Sequence, residues 1–347
     1  MKYFMATSFF VILILLVYIG YKQDIVKKTD IPVDYEQAGL HEQIVIRFSH
    51  VVAENTPKGL AVSKFAELVE KKTNGKIKVE IYPNSMLYSD SEEMNALQHG
   101  DIQMIAPSIS NVTEMIPEWQ VLDLPYLFNS YDDIHKFFTG DVSKKLLDML
   151  ENENIKGLAL WSNGFKHMTS NNRPLIKPED FKNVHIRTMS SQMLQEQYQL
   201  LQAKPVDVSF DQVYSSLEKH QIEAGENTSS NIYSKGFYKV QQYMTLSYHG
   251  FLGYAVMMNE DFWNSLSKEL QNQLIETLNE TTLWNLKVSE QMNKDSLEKI
   301  LQNSDINIIT LTDKQKEAWT KKWSPLYSHY QTEINSHLIK DIQKELK

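Results

Sequence analysis

Between Gly253 and Pro325 the chain contains neither glycine nor proline. These are the two strongest breakers of helices, so nothing in this stretch stops one. Leu266, Leu270, Leu274, Leu278 and Leu286 recur there at helical spacing. A helix over roughly residues 260–301 would span about 60 Å at 1.5 Å per residue. That exceeds the diameter of one domain, so such a helix must bridge two. A break at Asn279 or Asn285 is the alternative. The length of 347 residues also fits about two domains.

The segments upstream alternate between strand and helix. "IVIRFSHVV" (44–52) has strand composition, and Thr56-Pro57 is a helix start with proline at the first position. Ala61, Phe65, Leu68 and Val69 line one helical face, which "TNGK" ends at Gly75. "KIKVEIYP" alternates as a strand, "DSEEMNALQHG" reads as a helix and "IQMIA" as a strand. The pattern then recurs: "IKGLALW", "NVHIRTM", "KPVDVS" and "IEAGEN" are strands. "SSQMLQEQYQLLQ" and "SFDQVYSSLEKHQ" are helices, the second opened by Ser209 and Gln212 as a capping box. "INIITL" returns as a late strand, and Thr312 with Gln315 opens a last helix. This is an α/β chain with two units, a cleft between them and more than one crossover. Clefts between domains are where small ligands usually sit.

Composition removes whole classes of function. There is no cysteine, which excludes disulfides, thiolate chemistry, zinc-thiolate sites and a lipid anchor on an N-terminal cysteine. A net charge of −9 without a dense basic block argues against nucleic acid. No HxxxH, HExxH, GxSxG, Walker A or GxGxxG pattern is present, so no catalytic residue, metal ligand or cofactor is assigned. Asp132-Asp133 and Glu92-Glu93 read as solvated helix starts or faces rather than acid/base pairs.

Residues 1–21 carry an uncharged run from Tyr3 to Tyr21 around "FFVILILLVYIG", flanked by Lys2 and Lys22. This is a secretory signal or membrane anchor, so the protein is expected outside the cytoplasm. The run is long for a signal and lacks a clear cleavage site, which favours an uncleaved anchor. Lys22, Lys27 and Lys28 after it oppose an N-in orientation. Residues 22–43 read as a polar tether.

Three polar residues stand at the ends of expected strands. Arg187 closes "VHIR" directly before "TMSS" and a helix. In α/β folds ligands bind at the carboxyl ends of strands, and the guanidinium fork matches a carboxylate. A surface ion pair is the competing reading. Ser190 and Ser191 read as caps of the following helix. Lys166, in "WSNGFKHMTSN", is expected in a loop after a strand, with Asn163 beside it. Asn227, in "AGENTSSN", can both donate and accept, which suits orienting an acid.

Together these segments resemble the extracytoplasmic solute-binding subunits of TRAP transporters, the DctP type, from about Ile44 to the C-terminus. The carrying motifs include "IRFSHVVAENTPKG", "KVEIYPNSMLYSDSEEMNALQHGDIQMIAPS" and "WSNGFKHMTSNNRPLIKPEDFKNVHIRTMSS". "VSFDQVYSSLEKHQIEAGENTSSNIYSKGFYKVQQY" and "LGYAVMMNEDFW" complete the set. "HIRTMSS", "AGENTSSNIYS" and "GYAVMMN" look most like the C4-dicarboxylate branch. The resemblance implies a two-lobed, periplasmic-binding-protein-like (type II-like) α/β fold with several interdomain crossovers and a long bridging helix. The lobes are expected at residues 44–163 plus about 253–285, and 164–252 plus about 286–335.

For the site, the resemblance implies that Arg187 makes the main salt bridge to a ligand carboxylate. Asn227 orients the same group, with Glu226 before it. Lys166 falls where many members carry a basic residue, and Phe210 matches an aromatic packed beneath the ligand. His50, Ser108, Asn163 and Tyr254 complete the expected set. A dicarboxylate needs two cationic ends or one cation with many donors; Lys166 and His50 are the candidates opposite Arg187. The implied function is capture of malate, succinate or fumarate and delivery to the small and large membrane permease subunits. The alternatives are a co-sensor for a membrane histidine kinase, or a binding protein for another organic acid.

Overall fold

Residues 43–347, together with Tyr18, are described by the computed structural model. The expectations for the anchor and tether therefore fall almost wholly outside the described residues. Among those residues, no helix is long and apolar enough to cross a membrane.

The first half follows the alternation read from the sequence: β1 (Ile44–Ser49), α1 (Pro57–Lys72), β2 (Ile77–Tyr82), α2 (Glu93–Gln98) and β3 (Met104–Ile105). β1 lies parallel to both β2 and β3. The Thr56 hydroxyl accepts from the Gly59 amide and Pro57 opens α1, as the sequence predicts. α3 (Ile109–Val112), α4 (Tyr131–Thr139) and α5 (Asp141–Asp148) lead to β4 (Ile155–Ser170).

The second half holds β5 (His185–Thr188), α6 (Gln192–Leu200), β6 (Lys204–Asp207), α7 (Val213–Glu218), β7 (Ala224–Thr228), α8 (Ser229–Ser234) and β8 (Tyr243–Leu246). β5 runs parallel to β6 and β7. The chain then returns through β9 (Phe251–Asn259), α9 (Glu260–Ser265), α10 (Lys268–Asn303), β10 (Asn307–Thr310), α11 (Asp313–Glu333) and α12 (Leu338–Glu345).

Two parallel half-sheets are joined by one long antiparallel pair. β4 lies against β9 from Ile155 to Phe165 and so belongs to the half containing β1–β3. From Lys166 to Ser170 the same strand pairs with β7, and near its end with β8, in the other half. The sequence reading ended this strand at Trp161 and placed "SNGFKHMTSN" in a loop. Instead the strand continues through a bulge between Ser162 and Gly164. Gly164 adopts φ +148°, and a Cβ there would come within 2.5 Å of Asn293 Nδ2, so glycine is required on both counts.

The helix expected over residues 260–301 is divided: α9 ends at Ser265, Leu266 is extended and Ser267 caps a new start, after which α10 is unbroken over 36 residues, about 54 Å at 1.5 Å per residue. Asn285 does not interrupt it, because its amide faces β4. Its Oδ1 accepts from Ser162 N at 2.6 Å, and its Nδ2 donates to Ser162 O and Pro57 O. Ser289 bonds Ser162, and Asn293 Nδ2 donates to Asn163 O. This polar seam holds the helix to the strand where both pass from one half to the other.

Two further local readings change. Ser209 makes no cap: its hydroxyl donates to Asp90 and Asp211, and the helix after it starts as a 3₁₀ turn at Phe210–Gln212. Glu93 is fully buried rather than solvated, and neither of its carboxylate oxygens has a hydrogen-bond partner. Ser191 does cap α6, and the Thr312–Gln315 capping box opens α11. α11 then continues through Pro325, tied down by Trp319 to Ile176 O and by Trp323 to Gln197 O.

Candidate functional site

The ends of β5 and β7 lie side by side, with Arg187 opposite Gly225. A cavity with about 330 Å³ of empty space, part of it open to solvent, lies at these ends. The second half contributes Arg187, Met189, Phe210, Asn227 and Asn231 to its walls; the first contributes Val51, Val52, Asp90, Ser108 and Asn111. Leu252 and Tyr254 of β9 complete it.

Arg187 is 3% exposed. Its Nε donates to Val208 O at 2.9 Å, which fixes the plane of the guanidinium. Nη1 and Nη2 make no hydrogen bond among the described residues; the nearest acid is Asp90, whose Oδ2 lies 4.0 Å from Nη2. Burial pulls the Arg187 pKa down, while Asp90 and Glu226 oppose that shift. The fork is thus held at one end and open toward the cavity at the other.

Asn227 Oδ1 accepts from Thr228 N and from Asn231 Nδ2, both at 2.9 Å, leaving the Nδ2 donor uncommitted. Asn231 also reaches the Tyr254 hydroxyl at 3.5 Å, and its own Oδ1 is buried without a partner. Phe210 forms an apolar wall, packed edge-on against Phe237. Ser108 caps α3 and donates to Met189 Sδ across to the other half. These donors, a buried cation and apolar walls can bind a small acid in one orientation.

Four expected site residues lie elsewhere. Lys166 is 2% exposed and ion-paired with Glu226 Oε1 at 2.5 Å. The other Glu226 oxygen accepts from Tyr198 at 2.5 Å and from His249 Nε2 at 2.6 Å. The Ser247 hydroxyl sits 2.7 Å from His249 Nδ1, so a neutral imidazole satisfies both sides. Burial would raise the Glu226 pKa, but Lys166 and His249 outweigh it and hold the carboxyl far below its ordinary range. Asn163 Nδ2 donates to Thr228 Oγ1 at 2.8 Å, within the seam under α10. His50 is fully buried, with neither ring nitrogen hydrogen-bonded, and burial followed by the Lys58 charge lowers its pKa to about 3. It is neutral and supplies no cation. None of these four lines the cavity.

The sequence reading missed Asp90, Asn111, Asn231 and the apolar wall residues. Asp90 stands among helix-start acids and carries no local signal of burial. Asn231 lies in the first turn of α8, directly after β7, and that strand-to-helix turn brings its amide back to Asn227.

Residues 48–333 match the family model of bacterial extracellular solute-binding protein, family 7, DctP. The C4-dicarboxylate-binding protein DctB of Bacillus subtilis (strain 168) is 49% identical over 309 residues, covering 89% of this chain and 88% of its own. A TRAP periplasmic solute binding protein from Sulfurospirillum deleyianum, solved with bound succinate, has a TM-score of 0.83 at 38% identity. It covers 87% of this chain and 98% of that one. Another from Pseudomonas aeruginosa, with bound L-malate, has a TM-score of 0.80 at 33% identity and covers 83% and 100%. The two-lobed α/β fold with a bridging helix is the fold of these proteins, and the chain belongs to the DctP family, bacterial extracellular solute-binding protein family 7.

Proposed function

We propose that this protein captures a C4-dicarboxylate such as succinate, malate or fumarate in the cavity at Arg187 and hands it to the TRAP membrane permease subunits. The supporting observation is the pairing of a buried, half-committed guanidinium with the free Asn227 amide donor at adjacent strand ends. One carboxylate lies in the Arg187 fork, oriented by Asn227, with its carbon chain against Phe210. The names of the relatives support the ligand class. The lobes, residues 44–163 with about 253–285 and residues 164–252 with about 286–335, close on the ligand by hinge motion, since both contribute cavity walls. Residues 1–21 hold the protein at the outer face of the membrane.

Calorimetry on residues 44–347 with succinate, malate, fumarate and a neutral diamide tests this reading. Saturable binding of at least one diacid, with none of the diamide, is expected. Binding of the diamide alone, or of no diacid, would overturn it.

A further inference from the structure

A buried dianion requires compensation at both ends. Arg187 serves one carboxylate. Lys166 is consumed by Glu226, and His50 is neutral, so neither cation named from the sequence meets the other. Two lysines remain near the cavity walls. Lys235 Nζ lies 5.1 Å from the ring centroid of Phe210 but is only half-buried, so water screens it. Lys58, on the first turn of α1, is fully buried.

Lys58 Nζ donates to Ala106 O at 2.8 Å and sits 3.9 Å from the centroid of Tyr254, a cavity-lining ring. It makes no ion pair among the described residues. The carboxylates whose charge acts on it are Glu93, buried without hydrogen bonds, and Asp90, engaged with Ser209 and Phe210. An ammonium buried with only one carbonyl acceptor is costly in the free protein, and a ligand anion would offset that cost. Burial accordingly lowers the Lys58 pKa to about 8.

We infer that Lys58 supplies the second positive charge of the site, acting from beneath the Tyr254 ring on the ligand's distal carboxylate, and thereby selects dianions over monoanions. The inference rests on the dicarboxylate reading of the cavity. It makes Lys58 a specificity residue supplied by the first lobe, while Arg187 supplies the clamp from the second.

The test compares succinate with its monoamide, succinamate, by calorimetry on wild-type, Lys58→Met, Lys58→Arg and Lys235→Met proteins. Wild type should prefer succinate at least tenfold. Lys58→Met should lose most of that preference by weakening succinate alone, with succinamate within about twofold of wild type; an interaction of one unit charge is of this size. Lys58→Arg should retain the preference. If Lys58→Met weakens both ligands equally, or leaves both unchanged, or if Lys235→Met removes the preference instead, the assignment is wrong. Should Lys58→Met fail to fold, the Lys58→Arg protein and the wild-type ratio decide: a wild-type ratio near one overturns the inference. Wild-type protein that binds no succinate would instead sink the dicarboxylate reading, and this inference with it.

Discussion

Asp90 reaches across the cavity to the same corner as Arg187: its Oδ2 lies 4.0 Å from Arg187 Nη2, while its Oδ1 accepts the Ser209 hydroxyl at 2.5 Å. The Phe210 amide adds a second donor at 3.2 Å. Asp90 comes from the segment before α2 in the first half, whereas Arg187, Ser209 and Phe210 belong to the second. An acid from one lobe therefore stands beside the cation proposed to hold the ligand carboxylate, while fastening the two lobes together.

This juxtaposition sets like charges close together when a carboxylate ligand is bound. Asp90→Asn keeps the shape and an acceptor for Ser209 but removes the charge. Succinate should bind about 3–10-fold tighter, the effect of removing one partly screened like charge. Calorimetry gives the answer; weaker binding would show that the fastening role outweighs the repulsion.

Arg187→Ala leaves a buried ligand carboxylate without its cation. Binding of any diacid ligand should weaken by at least about 2 kcal/mol, roughly 30-fold. Unchanged affinity would refute the clamp. Arg187→Lys should recover only part of the loss, because it cannot both hold Val208 O and present a planar fork.

Lys166 is ion-paired with Glu226 in this fold. Lys166→Met leaves Glu226 charged and buried with only Tyr198 and His249. Stability in urea should fall by about 3 kcal/mol, while the folded fraction keeps its ligand affinity within a few fold. A large loss of affinity at unchanged stability would return Lys166 to the binding site.

Burial raises the Glu93 pKa from an ordinary 4.5 to about 8, although the Lys58 charge opposes this. The folded state thus keeps a proton that the unfolded state releases between these values. Stability from this group is fully present below about pH 4.5 and is lost as pH rises toward 8, by at most about 1.4 kcal/mol per pH unit. Glu93→Gln should therefore flatten the decline in urea stability between pH 5 and 7.5. Parallel profiles for the two proteins would contradict the assignment.

At the bulge in β4, Gly164→Ala places a side chain at φ +148° and against Asn293. A loss of about 2–3 kcal/mol in unfolding free energy, seen as a lower urea midpoint without a change in slope, is expected. An unaffected midpoint would mean that the seam between β4 and α10 yields easily.

The features legible in the sequence were those that depend on neighbours along the chain. Strand and helix alternation marked the α/β fold, because side-chain period is set by local backbone geometry. The absence of glycine and proline predicted a helix long enough to bridge two lobes, and α10 has that length, although the break at Leu266–Ser267 moves its start to Lys268. Thr56, Ser191 and Thr312 announced helix starts through their own hydroxyls. Arg187 could be placed at a strand end by the same local logic. Which acid meets which base was not legible. Lys166 and Lys58 each follow a polar stretch and look alike in one dimension. Only tertiary packing brings Glu226 to the first and leaves the second under Tyr254. Likewise, no local signal separates the exposed Glu92 from the buried Glu93. Charge pairing and desolvation depend on groups brought close by chain crossings. In this protein those crossings run through β4, β9 and α10, whose shared path exists only once the two half-sheets have joined.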